Sequence, residues 1–163
     1  MYNVLNKAIT EDIFTKIKNG FSYFEISEKY QYTEHKHRYG KIIKDIEIIN
    51  YISKQLKKEI LNILKEESKY NELYLSDVYL CIDEKDFYIP WHEDSSEKYI
   101  SCILYCGQGF SGTSFLNKEL KENHVEPIDN KLIFFKGNKI IHCVKKSISK
   151  RYTLQFSYKY QNV

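Results

Sequence analysis

The spacing of apolar residues changes period along this chain. From Lys41 to Glu67, Ile42, Ile46, Ile49, Ile52, Leu56, Ile60, Ile63 and Leu64 recur at three- and four-residue steps between lysines and glutamates, the pattern of an amphipathic helix. Upstream, Ile9 to Lys18 offers Thr10 as an N-cap, Glu11 and Asp12 in a first turn and a lysine-bearing end before Asn19-Gly20, which predicts a short helix. Phe21 to Tyr30 mixes aromatic and β-branched residues with Glu and Lys and fits strand or helix equally. From Leu73 onward short β-branched and aromatic runs alternate with Gly, Asn, Asp and Ser, predicting strands near 74–82, 87–92, 99–106, 113–116, 131–136, 139–145 and 151–160.

A helix with one apolar stripe needs an apolar partner, and a half-buried sheet needs a cover. Together they predict a mainly β fold with supporting helices, the strands forming a barrel or sandwich for which a jelly-roll is one standard solution. There is no internal repeat and no flexible linker. One domain spanning 1–163 is expected, with a mainly helical supporting segment over 1–72 and a β core over 73–163.

Period-two geometry assigns faces within the strands. In the last strand Arg151, Thr153, Gln155 and Ser157 share one face and Tyr152, Leu154, Phe156 and Tyr158 the other. Tyr99, Ser101, Ile103 and Tyr105 oppose Ile100, Cys102, Leu104 and Cys106, which repeats the contrast more weakly. The polar faces are expected to line a cavity and the apolar faces to meet the long helix.

Composition narrows the class. The 163 residues are 42% hydrophobic and 29% charged with 15 Tyr and 9 Phe, enough for a buried core without disulfides and too apolar for a disordered chain. The net charge of +3 comes from interleaved, not blocked, charges, so nothing points to a nucleic-acid partner. There is no run of about 18 apolar residues and no signal-peptide order at the start. A cytosolic protein with no membrane partner is therefore expected. Cysteines 81, 102, 106 and 143 fit neither zinc spacing nor a secreted framework and are expected as reduced thiols.

Trp91-His92-Glu93-Asp94 puts an imidazole and a carboxylate two residues apart, so on an extended segment both can point the same way. His142, on another predicted strand, completes a 2-His-1-carboxylate set that leaves one side of an octahedral metal open. Fe(II) is the natural occupant, and Zn(II) could use the same three ligands. Arg151 follows His142 by nine residues, and a guanidinium fork matches a carboxylate bidentately without losing its charge in a pocket.

His92-x-Asp94, Ser101-Cys-Ile-Leu-Tyr105, Phe110-Ser-Gly-Thr-Ser-Phe115, Glu126-Pro-Ile-Asp-Asn-Lys-Leu-Ile-Phe-Phe135, His142 and Arg151-Tyr-Thr-Leu-Gln155 occur in this order. With that order and spacing, residues 78–158 resemble the catalytic core of the prolyl-hydroxylase superfamily of 2-oxoglutarate/Fe(II)-dependent dioxygenases. The resemblance implies a double-stranded β-helix, a distorted, cupin-like jelly-roll backed by helices. It implies that His92, Asp94 and His142 hold iron and that Arg151 pairs with the distal carboxylate of 2-oxoglutarate, with Tyr105 sharing that carboxylate. It further implies hydroxylation of a C–H bond in a prolyl or other amino-acid-type substrate, with 2-oxoglutarate and O2 converted to succinate and CO2 and ascorbate as a candidate auxiliary. The presence of Asp94, where related halogenases carry Gly or Ala, favours hydroxylation.

Departures from the family pattern fall at the edge of the co-substrate pocket. Where many members carry Tyr-x-Pro-Gly this chain has Ile82-Asp-Glu-Lys-Asp-Phe-Tyr88, and Gln155 stands where a Thr often follows the arginine by four. Tyr88, Trp91 and Glu93 flank the ligands and are candidate substrate contacts; for the two aromatics, packing at the barrel rim is an equal explanation. The candidate partners are a protein, a peptide or a small amino-acid-type substrate, with a small-molecule natural product as an alternative. An AlkB-like demethylase would need a second arginine six residues after Arg151, where Ser157 stands. A non-catalytic or zinc-binding jelly-roll module is the reading from a different class. His35 and His37, with Glu34, sit in the polar stretch Glu34-His-Lys-His-Arg38, read as a solvated loop, as is His124. Cys143 faces away from His142 and is assigned to packing.

Overall fold

The computed structural model describes residues 1–27 and 38–161. The chain opens with β1 (Asn3–Asn6), α1 (Glu11–Ser27) and β2 (Arg38–Ile42), followed by α2 (Ile46–Asn50), a π-helical turn (Tyr51–Leu56) and α3 (Lys57–Leu64). After a 3-10 turn at Glu67–Asn71 come β3 (Leu73–Leu75), β4 (Tyr79–Asp83), β5 (Ile89–His92), β6 (Ile100–Tyr105), β7 (Thr113–Leu116), β8 (Glu122–Val125) and β9 (Lys131–Phe135). A second 3-10 turn, Gly137–Lys139, leads into β10 (His142–Val144), and β11 (Arg151–Tyr160) ends the fold.

The strands form two antiparallel sheets. The larger runs β1-β9-β6-β11-β4-β2, with β3 also paired to β11, and the smaller runs β5-β10-β7-β8. Ile100, Cys102 and Leu104 of β6 and Leu154, Phe156 and Tyr158 of β11 point outward from the larger sheet into one core with the helices. Tyr105, Phe110, Phe115, Val125, Ile133 and Phe135 form a second core between the sheets. The alternation expected along β6 and β11 is therefore the alternation observed.

The long helix differs from expectation at both ends. Lys41 and Ile42 belong to β2, and the helix starts where the Asp45 carboxylate accepts the backbone N–H groups of Glu47 and Ile48 at 2.9 and 3.2 Å. It ends at Lys65, whose left-handed conformation (φ 56°) lets Glu66 N–H reach the Leu61 carbonyl at 2.9 Å. Ile48, Ile52, Leu56 and Ile60 are buried, a repeat of four that would drift by roughly 40° per step on a regular α-helix. The π turn widens the helix at its middle and keeps the four on one face. The Ile52 carbonyl, which takes the Lys57 N–H at the end of this turn, also accepts from the buried Tyr158 hydroxyl at 2.7 Å. Ile46 and Ile63, placed on the stripe from sequence, are exposed.

α1 runs through Asn19-Gly20, where a stop was expected. A Cβ at Gly20 would lie 2.9 Å from Leu80 Cδ1 of β4. The glycine thus leaves room for the Leu80 side chain against the helix, and this tertiary contact outweighs a helix-propensity cost of about 1 kcal/mol. Helix continues to Ser27, and the rest of the undecided 21–30 segment, with Glu34, His35 and His37, lies outside the described residues. The strand expected over 74–82 is two strands, β3 and β4, and β1, β2 and β8 were not foreseen. Among the described residues no helix is long and apolar enough to cross a membrane.

Because the Tyr158 hydroxyl is buried and its acceptor is in the π turn, Tyr158→Phe should lower unfolding free energy by about 1–2 kcal/mol. Urea denaturation followed by circular dichroism checks this, with exposed Ile46→Ala as a control expected to shift stability by less than about 0.5 kcal/mol.

Candidate metal and carboxylate site

A cavity of about 450 Å³ opens between the sheets. His92 ends β5 and pairs directly across from His142 of β10, with ring centroids 4.2 Å apart. Asp94 lies just past β5, where its backbone N–H donates to the Gly137 carbonyl at 3.0 Å. The ligand atoms of His92, Asp94 and His142 all lie within 4.8 Å of one another, close enough for one cation to reach all three.

The surrounding groups suit metal binding. Nδ1 of His92 is 2.8 Å from the Pro90 carbonyl and Nδ1 of His142 is 3.0 Å from the Ile140 carbonyl. A carbonyl can only accept, so each Nδ1 carries the proton and each Nε2 presents a lone pair. Burial lowers the pKa of His142, despite opposing contributions from the Ile140 carbonyl and Asp94, which keeps the imidazole neutral as a ligand must be. Burial alone would raise the Asp94 pKa, but Lys98, Ser101 and His142 outweigh it and hold the carboxyl below its usual range. Lys98 donates to Oδ1 at 3.0 Å and Ser101 Oγ donates to Oδ2. Gly137 permits this arrangement: a Cβ there would sit 2.7 Å from Ser101 Oγ and 3.0 Å from the Lys98 carbonyl. Phe115 and Phe135 wall His142 from behind, at 5.9 and 4.7 Å between ring centroids.

Arg151 lines the same cavity and is fully buried. Its Nη1 donates to Asp83 Oδ2 at 2.6 Å. Its Nε and Nη2 are buried with no hydrogen-bond partner among the described residues, and such donors are costly to leave unmatched. Two parallel N–H groups on one guanidinium edge are what a carboxylate accepts bidentately. The donor set therefore fits a small carboxylate in the same cavity as the three metal-ligand candidates.

Tyr105 is buried beside Arg151, whose guanidinium carbon is 5.7 Å from the Tyr105 ring centroid, and its hydroxyl donates to Thr113 Oγ1 at 2.8 Å. Glu93 borders the cavity, whereas Tyr88 and Trp91, 62% and 41% exposed, lie outside its lining. His124 is in β8, where Nδ1 lies 2.8 Å from Ser114 Oγ. Cys81 lines the cavity, but burial pushes its thiol up to about 11, so it stays protonated. All four cysteines are free.

Arg38 and Asp83 escaped the sequence reading. Arg38, assigned to a solvated loop, is buried in β2 and lines the cavity. Its Nε and Nη2 donate to the two oxygens of Asp83 at 2.5 and 2.9 Å. A usable signal was a lone acid ending the apolar run Tyr79-Leu-Cys-Ile-Asp83. No comparable signal marks Arg38, because its neighbours in sequence are polar.

No family model matches the sequence, and no curated protein matches it. Similarity appears in structure. A Pseudomonas putida prolyl-4-hydroxylase superposes with a TM-score of 0.79 at 14% identity, over 99% of this chain and 93% of that one. A prolyl hydroxylase from Trichoplax adhaerens, in complex with a hypoxia inducible factor oxygen degradation domain peptide fragment, gives 0.68 at 13% identity over 98% and 83%. HygX from Streptomyces hygroscopicus, with nickel, 2-oxoglutarate and hygromycin B bound, gives 0.71 at 9% identity over 98% and 83%. The fold of this chain is thus the jelly-roll of these oxygenases, as the resemblance implied.

Ser101→Ala removes the donor that orients Asp94 and should weaken binding of a divalent probe such as Mn(II) by about 10-fold. Equilibrium dialysis checks this, and His142→Ala should abolish the binding in the same assay without unfolding the chain.

Proposed function

We propose that the protein is an Fe(II)- and 2-oxoglutarate-dependent dioxygenase that hydroxylates a C–H bond of a prolyl or other amino-acid-type substrate. The observation that carries this is the joint placement of the His92, Asp94 and His142 ligand atoms and the unmatched Nε and Nη2 of Arg151 on one cavity. A hydrolytic zinc site has no need of a buried guanidinium edge opposite the metal; an oxidative site that anchors a dicarboxylate does.

Fe(II) held by His92, Asp94 and His142 would activate O2, which is the oxidant: one oxygen atom would enter the substrate and the other succinate as 2-oxoglutarate loses CO2. The chain's own contribution is to bind and orient. His92 and His142 offer Nε2 because their Nδ1 protons are held by carbonyls. Asp94 stays ionised and is fixed by Ser101. Arg151 takes the distal carboxylate of 2-oxoglutarate on its Nε–Nη2 edge, which sets the distance of the other end from the ligand triad. The Phe115 and Phe135 wall excludes water behind His142.

The substrate class rests on the prolyl hydroxylases among the structural relatives, one of which holds a peptide. The hygromycin-bound relative supports a small natural product as the second class. Glu93, on the cavity lining, is the candidate contact for either; Tyr88 and Trp91 would meet only a substrate large enough to extend over the rim.

Anaerobic titration with Fe(II) and then 2-oxoglutarate should produce a weak visible charge-transfer band that His142→Ala loses. Absence of the band from folded, metal-binding protein would turn the reading to a zinc enzyme or a binding module. Arg151→Ala should raise the 2-oxoglutarate requirement on the order of 100-fold, while metal binding changes far less. EDTA should inhibit succinate formation and Fe(II) should restore it; restoration by Zn(II) alone would refute the oxidative reading.

A further inference from the structure

The anchor arginine is not alone. Arg38, Asp83 and Arg151 stand opposite one another on three adjacent strands: Asp83 of β4 is in register with Arg38 of β2 and with Arg151 of β11. Asp83 and Arg151 are both 0% exposed and Arg38 is 7% exposed. Arg38 binds both carboxylate oxygens of Asp83, whereas Arg151 reaches only Oδ2, and through Nη1 alone.

This unequal sharing bears on ligand binding. A buried aspartate paired only with Arg151 would cancel the charge that a second carboxylate needs, and would compete for the rest of the guanidinium edge. Because Arg38 engages both oxygens of Asp83, Arg151 is held by one bond and retains two buried donors. The three side chains together carry one more positive than negative charge. A monoanionic group completes the set; a neutral one does not.

Resting on the reading of Arg151 as the 2-oxoglutarate anchor, we propose that Arg38 is a positioning and specificity-determining residue for the co-substrate. It offsets Asp83, so that Arg151 keeps both its charge and its Nε–Nη2 edge for a distal carboxylate. Arg38 acts through Asp83 and Arg151, not by touching the ligand. Asp83 in turn fixes the rotation of the Arg151 fork by holding Nη1.

The test is anaerobic calorimetric titration of Fe(II)-loaded protein with 2-oxoglutarate and with 2-oxobutanoate, which lacks the distal carboxylate. In Arg38→Met, 2-oxoglutarate binding should weaken by about 10-fold or more while 2-oxobutanoate binding is unchanged. In the double variant Arg38→Met with Asp83→Asn there is no acid left to offset, and 2-oxoglutarate binding should return to within about threefold of wild type. Unchanged affinity in Arg38→Met overturns the proposal. So does a double variant that stays as weak as the single one, since Arg38 would then act by direct contact. If Arg38→Met does not fold by circular dichroism, the double variant decides by its own affinity against wild type. Wild-type protein that binds no 2-oxoglutarate at all would instead defeat the reading of the site, a result distinct from either failure above.

Discussion

A carboxylate taken wholly out of water costs several kcal/mol unless cations and hydrogen bonds replace its hydration, and Asp83 is the residue at which this fold meets that constraint. Burial pushes its pKa up, and Arg38 and Arg151 together more than reverse this, holding it below the usual carboxylate range. The solution needs three strands at once, since each charge comes from a different one. A one-residue slip of β2 or β11 would turn an arginine toward the helices and leave Asp83 short of a partner inside the sheet. The charged row therefore holds the register of β2, β4 and β11, and with it the orientation of the whole polar face of β11.

That face is inward because the opposite one is covered. Leu154, Phe156 and Tyr158 pack with Ile52, Leu56 and Ile60 of the long helix, and the bond from Tyr158 to the Ile52 carbonyl ties the sheet to the π turn itself. A regular helix carrying isoleucine and leucine every four residues would rotate its stripe off the sheet. The wide turn removes the rotation, and a tyrosine from the covered sheet adds a second hydrogen bond to a carbonyl that already takes the Lys57 N–H.

Much of this was legible in the sequence where one interaction dominates locally. β11 was read residue for residue because its alternation is uninterrupted from Arg151 to Tyr160. The amphipathic stripe located the helix, and its Asp45 start was missed because the apolar step to Ile42 continues the helical period into a strand. Gly20 was misread because its role is a contact with Leu80, far away in sequence, and β1, β2 and β8 went unseen because these short edge strands carry too few apolar residues to show period two in the sequence. That His92, Asp94 and His142 come together on one cavity with Arg151 was legible from residue type and spacing. Arg38 was not: a surface arginine and a buried one look the same until the strand beside it supplies an aspartate.

The site itself spans two layers that nothing in the local sequence obliges to meet at a fixed separation. His92 and His142 belong to the smaller sheet and Arg151 to the larger, so the separation between the imidazoles and the guanidinium depends on what joins the sheets. Asp94 is one such joint, beside the aromatic core that lies between the sheets. Its backbone is tied to the Gly137 carbonyl, and its side chain takes Ser101 of β6 and Lys98 just before it, so the one carboxylate in the triad is oriented by the larger sheet while the two imidazoles are oriented by the smaller. Gly137 lets the turn before β10 approach Ser101 more closely than any side chain would allow. A methyl group at that glycine would press directly on the serine that orients Asp94, so a residue that bears no functional group helps set the geometry in which the carboxylate and imidazoles converge.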